Sequence, residues 1–133
     1  MEFFDYYEKL FGERWPALLE SLKGEGCATE LHFGDRLEPY FLDEASVFAA
    51  QALGVEPGDD VLDMCAAPGG KTLVIASMLK GEGSLQSNDR SPDRRLRLQH
   101  VIENSLPECW RSVIKVTGYD GMKFGKAHHK QLL

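Results

Sequence analysis

The fold of this chain is decided by the stretch Val61-Leu-Asp-Met-Cys-Ala-Ala-Pro-Gly-Gly-Lys-Thr72. Its first residues, Val61 to Asp63, form a short apolar run that ends in a carboxylate and is typical of a buried parallel strand. The Pro-Gly-Gly sequence at 68–70 predicts a sharp turn, and Lys71 to Leu79 predict a helix that is apolar on nearly every face. Such an arrangement brings backbone N–H groups to the carboxyl end of a strand, where open α/β sheets bind nucleotide-like ligands.

Two common glycine motifs test whether this turn binds a phosphate. The dinucleotide fingerprint G-x-G-x-x-G does not occur in the sequence. The P-loop pattern G-x-x-x-x-G-K-[ST] is matched at its end by Gly70, Lys71 and Thr72, but Cys65 stands at the position of its leading glycine. The motif therefore favours a ligand-binding loop that is neither of these two. A nucleoside triphosphatase loop and a strand–turn–helix without a ligand remain the alternatives.

The string Cys65–Thr72 resembles the S-adenosylmethionine loop of the Nop/Sun (RsmB-like) family of RNA (cytosine-5) methyltransferases, and this loop is highly specific to that family. Three further segments agree: Tyr40–Ser46 before the first strand, Ser87–Ser91 at the end of the second, and Val113–Thr117 with Asp120-Gly121 at the third. The resemblance covers about residues 38–125. It implies a Rossmann-like class I methyltransferase fold, S-adenosyl-L-methionine as cofactor, and a cytosine of rRNA or tRNA as substrate.

The resemblance also implies roles for individual residues. Asp89 is expected at the ribose, Asp120 at the adenine edge, and Lys71 near the cofactor and the target base. Independently, Asp89 lies 20 positions after Gly69, where an acid at the end of a second strand accepts ribose hydroxyls. Asp120 precedes a glycine, which is also typical of turn chemistry. The cofactor-binding set is therefore predicted to be Cys65, Ala66, Ala67, Pro68, Gly69, Gly70, Lys71, Asp89 and Asp120.

Hydrophobic periodicity and turn residues predict how the chain is divided. Residues 1–40 are predicted to be an N-terminal helical segment, with two helices followed by a loop at Gly24–Gly34. Residues 41–133 are predicted to be the first half of a cofactor-binding α/β domain with right-handed crossovers and strand order 3-2-1, truncated after about three parallel strands. The predicted helices are Phe3–Phe11, Ala17–Lys23, Asp43–Leu53 and one capped by Ser91, and the predicted strands are Val61–Asp63, Ser84–Ser87 and Val113–Thr117.

The catalytic half of such an enzyme is expected to be missing. Methylation at C5 of cytosine requires a thiolate that adds to C6, and the resemblance places it in a Thr-Cys-Ser-like segment, with a second cysteine in an Asp-Ala-Pro-Cys-like segment. Neither segment occurs in the sequence, which ends at Leu133, where a fourth strand is expected. Cys27, Cys65 and Cys109 match neither position, so we expect no catalytic residue in this chain and no activity from it alone. The alternative is a non-catalytic binding module for cofactor, RNA or a protein partner.

Charge and cysteine content bear on partners and compartment. The net charge is −6, but residues 1–66 carry 15 acidic and 4 basic side chains while residues 67–133 carry 6 and 11. The basic half, which includes Arg90, Arg94 and Arg95, is the better candidate for an RNA-facing surface, with a solvated helix face as the alternative. Three widely spaced cysteines, without a transit peptide or metal-ligand spacing, favour the cytoplasm and no metal. No membrane span is expected, whereas the missing strand predicts a homo-oligomer or a partner that supplies the other half of the sheet.

Overall fold

The computed structural model describes residues 2–24 and 26–123. Helix α1 (Phe3–Phe11) and helix α2 (Trp15–Lys23) are joined by a 3-10 turn at Gly12–Arg14. They pack against each other through aromatic rings, with the ring centroids of Tyr7 and Trp15 5.5 Å apart. Pro16 lies in the first turn of α2, as the sequence predicts, although that helix begins two residues earlier than expected.

Three parallel strands form the sheet that the sequence predicts. They are β3 (Asp60–Asp63), β4 (Ser84–Asn88) and β5 (Ile114–Thr117), in the order β3-β4-β5. The first, second and third predicted strands correspond to β3, β4 and β5. The order β3-β4-β5 is the predicted order 3-2-1 read from the opposite edge of the sheet, so the prediction is confirmed. Two helices make the crossovers, α4 (Gly70–Leu79) and α5 (Pro92–Ser105), and a short helix α6 (Glu108–Arg111) precedes β5.

Helix α4 lies at the centre of the hydrophobic core. Most of its residues are buried, which confirms the prediction of a helix that is apolar on nearly every face. Burial of each leucine contributes roughly 1.5–3 kcal/mol, so this layer supplies much of the stability that orients the strand ends. The core residues without exposed surface are Leu73, Ala76, Leu79, Leu85, Leu98 and Leu106.

An antiparallel hairpin precedes the sheet, and the prediction of a loop over Gly24–Gly34 is wrong at residues 28–31, which form a strand. Strand β1 (Ala28–Leu31) pairs with β2 (Tyr40–Asp43), with Thr29 opposite Leu42. The hairpin spans the predicted division at residue 40, so the division into a helical segment and a domain stays a prediction, and residues 124–133 of that domain lie outside the described residues. The α/β architecture therefore contains a two-stranded element that the sequence interpretation omitted.

Helix α3 (Glu44–Gln51) joins this hairpin to the sheet. Its predicted N-cap is confirmed, because Oδ1 of Asp43 accepts hydrogen bonds from the backbone N–H groups of Ala45 at 3.0 Å and Ser46 at 3.3 Å. The helix ends two residues before the predicted Leu53. Among residues 2–24 and 26–123, no helix is long and apolar enough to cross a membrane.

Candidate functional site

The predicted site residues meet at one edge of the sheet. The loop Cys65–Gly69 leaves β3, Asp89 follows β4, and Asp120 lies three residues after β5. Because the three strands are parallel, their carboxyl ends lie at the same edge, which is where open α/β sheets bind ligands. The structure thus brings together the loop and both acids that the sequence singled out.

Two glycines allow the loop to approach its neighbours closely. Gly69 has φ +124°, a conformation that side chains rarely adopt, and it stands immediately before α4. A Cβ atom on Gly70 would lie 2.6 Å from Cδ1 of Leu42 and 3.0 Å from Cε1 of Tyr40, so the start of α4 rests directly on strand β2. The hairpin missed from the sequence therefore forms one support of the loop.

A small cavity of about 80 Å³ lies against the loop. Ala66 and Ala67 are buried, whereas Cys65, Pro68 and Lys71 are exposed. The Nζ atom of Lys71 donates a hydrogen bond to Oγ of Ser46 in α3 at 3.4 Å. The residues that line the cavity are Tyr40, Leu42, Cys65, Ala66, Ala67, Pro68, Gly70 and Lys71. A larger groove of about 450 Å³, between α5, α6 and β5, contains none of the predicted site residues.

Asp89 is buried at the end of β4, with 4% of its surface exposed. Its Oδ1 atom accepts a hydrogen bond from the N–H of Ser91 at 3.0 Å. Its Oδ2 atom lies 3.5 Å from Nη2 of Arg94, and the same nitrogen donates to the carbonyl oxygen of Ala67. Arg94 therefore connects the loop after β3 with the acid after β4, a role that sequence analysis did not assign to it.

Asp120 forms a turn beyond the end of β5. Its Oδ1 atom accepts a hydrogen bond from the N–H of Met122 at 3.1 Å, which supports the 3-10 turn at Gly121–Lys123. Its Oδ2 atom lies 4.0 Å from Nη1 of Arg90, whose side chain is largely exposed, so this ion pair is weak. The sequence analysis considered a turn as the alternative role of Asp120, and the structure contains this turn. The turn uses Oδ1, and Oδ2 lies near Arg90.

Asp63, the last residue of β3, is a half-buried acid that the sequence interpretation left without a role. Its Oδ2 atom accepts a hydrogen bond from the Thr72 hydroxyl at 3.0 Å, and Ser87 donates to that hydroxyl oxygen in turn. Burial raises the pKa of Asp63, although the Thr72 and Cys65 hydrogen bonds and the positive Lys71 act in the opposite direction. The only sequence feature that points to Asp63 is its position as a carboxylate at the end of the apolar run Val61-Leu62.

Asn88, the last residue of β4, is another residue that sequence reasoning missed. It is 1% exposed, and its Nδ2 atom donates to the carbonyl oxygen of Met64 at 3.2 Å. Its Oδ1 atom accepts from the Thr117 hydroxyl at 3.0 Å. One amide therefore holds the ends of β3, β4 and β5 together beneath the site.

The cysteines and potential metal ligands add no second centre within the described chain. Cys27, Cys65 and Cys109 are unpaired and exposed, and of these only Cys65 lies at the candidate site. Cys65, predicted as a member of the cofactor-binding set, is exposed and lines the cavity at the loop. Among residues 2–24 and 26–123, no group of three or more His, Cys, Asp or Glu side chains is placed to hold a metal ion.

Comparisons with known proteins agree with this geometry. Residues 50–133 match the family model described as 16S rRNA methyltransferase RsmB/F. The Bos taurus protein named 5-cytosine rRNA methyltransferase NSUN4 is 42% identical over 92 residues, which cover 68% of this chain and 24% of that protein. The Danio rerio protein named tRNA (cytosine(34)-C(5))-methyltransferase, mitochondrial, is 37% identical over 94 residues, covering 71% of this chain and 25% of its own length. The chain thus spans about a quarter of the length of these relatives.

A solved structure, a methyltransferase homologue from Pyrococcus horikoshii, superposes with a TM-score of 0.69 at 18% identity. The superposition covers 93% of this chain and 54% of that protein. At this level of identity the likeness shows the fold alone. That fold is the Rossmann-like class I methyltransferase fold, of which the described sheet contains three strands.

Proposed function

This chain belongs to the RsmB/F family of rRNA methyltransferases, the family that its sequence resembles, and we propose that it is the cofactor-binding part of an S-adenosylmethionine-dependent RNA cytosine-C5 methyltransferase. The observation that carries the proposal is the meeting of the loop Cys65–Lys71, Asp89 and Asp120 at the carboxyl edge of three parallel strands. When bound, S-adenosylmethionine supplies an electrophilic methyl group. The residues of this chain bind and orient it.

Each part of the site suits one part of the cofactor. The carboxylate of Asp89 accepts the ribose hydroxyls, and Asp120 accepts a hydrogen bond from the adenine edge. The backbone N–H groups around Gly69 and Gly70, at the start of α4, suit the carboxylate of the methionine moiety. Ala66 and Ala67 present small side chains, so that the cofactor can lie close to the loop.

The substrate proposal rests on the relatives, whose printed names include both rRNA and tRNA cytosine-C5 methyltransferases. A cytosine of one of these RNAs is therefore the proposed target, reached with a thiolate that this sequence does not contain. A non-catalytic binding module for cofactor, RNA or protein stays the alternative, because none of the three cysteines matches an expected catalytic segment. The cytoplasm stays a prediction, since the Danio rerio relative is named as mitochondrial.

Calorimetric titration with S-adenosylhomocysteine, the unreactive product form of the cofactor, tests the proposal. Asp89→Asn keeps an oxygen for the Ser91 N–H but removes the charge. We expect it to weaken binding by about 10- to 100-fold, as for hydrogen bonds to charged groups. Asp120→Asn is expected to weaken binding less, because that carboxylate is more exposed.

The matched control is Asp93→Asn, an exposed acid in the first turn of α5 that makes no hydrogen bond or ion pair with any described residue. Its affinity is expected to equal that of the wild type. Equal affinities for Asp89→Asn and Asp93→Asn contradict the assignment of Asp89. Absence of binding by the wild-type chain contradicts the proposal that this part binds the cofactor by itself.

A further inference from the structure

The side chain of Arg95 lies across the ends of β4 and β5. Its Nη1 atom donates hydrogen bonds to the carbonyl oxygens of Asp89 at 2.8 Å and Arg90 at 2.9 Å. Arg95 is half-buried in the first turns of α5, so these bonds are partly shielded from water. The guanidinium thus holds two consecutive backbone carbonyls in place, those of Asp89 and Arg90.

Gly118, the first residue after β5, provides the space for this guanidinium. A Cβ atom at Gly118 would lie 2.5 Å from Nη1 of Arg95 and 2.6 Å from Cζ. Gly118 does not have a left-handed conformation, so its backbone is compatible with alanine. A side chain at this position would therefore displace the guanidinium of Arg95, which is the flexible end of that side chain, without straining the backbone.

This contact joins the two segments that carry the acids of the site. One segment contains Asp89 and Arg90, and the other runs from Gly118 to Asp120. Arg90 also approaches Asp120, with 4.0 Å between Nη1 and Oδ2. The positive charge of Arg95 is satisfied by backbone carbonyls at this edge, which makes Arg95 a poor candidate for the phosphate contacts expected of the basic half.

We propose that Arg95 is a positioning residue of the cofactor site, which sets the spacing between Asp89 and Asp120 by bridging the Asp89 and Arg90 carbonyls over Gly118. The inference rests on the proposed function, because the spacing matters for a ligand that touches both acids. The planar guanidinium reaches two carbonyls and occupies the space beside Gly118 that a Cβ atom would need. The single ammonium of lysine lacks that planar shape, so Arg95→Lys is not a conservative change at this position.

A double-mutant cycle tests the proposal. S-adenosylhomocysteine is titrated into the wild type, Arg95→Ala, Arg95→Lys, Gly118→Ala and the double variant Arg95→Ala/Gly118→Ala. Each single variant is expected to raise the Kd about tenfold, because each removes the same charge-assisted bridge. The double variant is expected to raise it about tenfold as well, not a hundredfold, since its two changes act on one contact.

Two further measurements separate positioning from a loss of folding. Urea denaturation identifies any variant that no longer folds cooperatively. Amide NMR spectra of the ligand-free proteins are expected to show shifts at both Asp89 and Asp120 in every Arg95 and Gly118 variant. Arg36→Ala is the control, because Arg36 is exposed and has no hydrogen bond or ion pair with any described residue. It should leave the Kd and both amide signals unchanged.

The outcomes distinguish the two proposals. Wild-type affinity in Arg95→Ala or Arg95→Lys, alongside weakened binding by Asp89→Asn, overturns the role of Arg95 and leaves the proposed function intact. Additive losses in the double variant also overturn it. If the wild type does not bind the ligand, the proposed function fails for this chain. The amide spectra then test the positioning role of Arg95 by themselves. An unshifted Asp120 signal in Arg95→Ala then overturns the positioning role, and shifts at both acids support it.

Discussion

The side-chain amide of Asn88 makes two hydrogen bonds with the backbone of Tyr119. Its Oδ1 atom accepts from the Tyr119 N–H at 2.8 Å, and its Nδ2 atom donates to the Tyr119 carbonyl oxygen at 3.1 Å. Because Asn88 precedes Asp89 and Tyr119 precedes Asp120, this pairing joins the two segments that carry the acids directly before each acid. Asn88 makes its hydrogen bonds from the last position of β4. Arg95 makes its hydrogen bonds from α5 to the backbone that follows β4.

Replacement of Asn88 is expected to destabilise the protein. Asn88→Ala removes the hydrogen bonds that a buried amide makes with Met64, Thr117 and Tyr119, which lowers the free energy of unfolding by about 3 kcal/mol. Urea denaturation followed by circular dichroism measures this change. The control Asn104→Ala, whose amide contacts only the exposed His100 among the described residues, is expected to change it by less than about 0.5 kcal/mol. Similar values for the two variants contradict the role given to Asn88.

Gly70 is expected to tolerate no side chain. Gly70→Ala adds a Cβ atom 2.6 Å from Cδ1 of Leu42 and 3.0 Å from Cε1 of Tyr40, so these side chains of β2 have to repack at a cost of about 1–3 kcal/mol. The gain in helix propensity is at most about 1 kcal/mol and does not offset this cost. The thermal midpoint should fall in Gly70→Ala and stay unchanged in Gly26→Ala, where no atom lies within 4 Å of the added Cβ. A stabilised Gly70→Ala protein contradicts the packing described for the hairpin.

The parts of the fold that the sequence predicted correctly carry strong local signals. The turn at 68–70 contains proline and two glycines, and α5 begins with Pro92 after its Ser91 cap. The hairpin lacks such a signal: β1 has one large apolar residue in four, and its partner strand lies across an eight-residue connection. Long-range pairing decides this element, and short-range patterning does not reveal it.

The same distinction applies to the candidate site. Asp89 was found from its distance to the glycine turn, which agrees with the family resemblance, whereas Asp120 was found from the resemblance and its position after a strand. Asn88, Arg94 and Arg95 were not assigned to the site because they act mainly on backbone groups of segments that fold against them, such as the carbonyl of Ala67, 27 residues away. Contacts of this kind leave no spacing pattern in one sequence.

Asp63 is expected to make stability depend on pH. Burial raises its pKa above the ordinary value of 3.8, so the folded protein keeps this proton to higher pH than the unfolded chain does. The contribution of Asp63 to the free energy of unfolding is therefore largest at low pH, and it falls as pH rises from about 3.8 through the raised pKa. Asp63→Asn removes this dependence.

Urea denaturation of wild type and Asp63→Asn across a pH series checks this expectation. The difference between their free energies of unfolding should shift in favour of the variant as pH rises through that window, and then become constant. Subtracting the two curves removes the titration of groups that both proteins share. A difference that is constant across the window, or that shifts in favour of the wild type, contradicts the raised pKa.

The isolated chain is expected not to methylate RNA. The methyl group reaches C5 of cytosine only after a thiolate has added to C6, and no cysteine here stands in an expected catalytic segment. Transfer of tritiated methyl groups from S-adenosylmethionine to a mixed RNA pool is the measurement, with a full-length family member as the positive control. Transfer to cytosine C5 that disappears on replacement of Cys27, Cys65 or Cys109 contradicts this prediction.

The chain is also expected to associate through β3. This strand is an edge of the described sheet, and Leu62 is 41% exposed beside a groove of about 320 Å³ that Leu53 and Val55 also line. Unpaired backbone groups and apolar side chains on such an edge favour pairing with another chain, and lysine on the edge opposes it. Sedimentation over a concentration series should show a rising average mass for the wild type and a lower one for Leu62→Lys. Leu96→Lys, at an exposed position on α5, should behave as the wild type does, since it leaves the edge intact. A wild-type chain that stays monomeric throughout the series contradicts the prediction, because an accessible edge of this kind would then fail to pair even at high concentration.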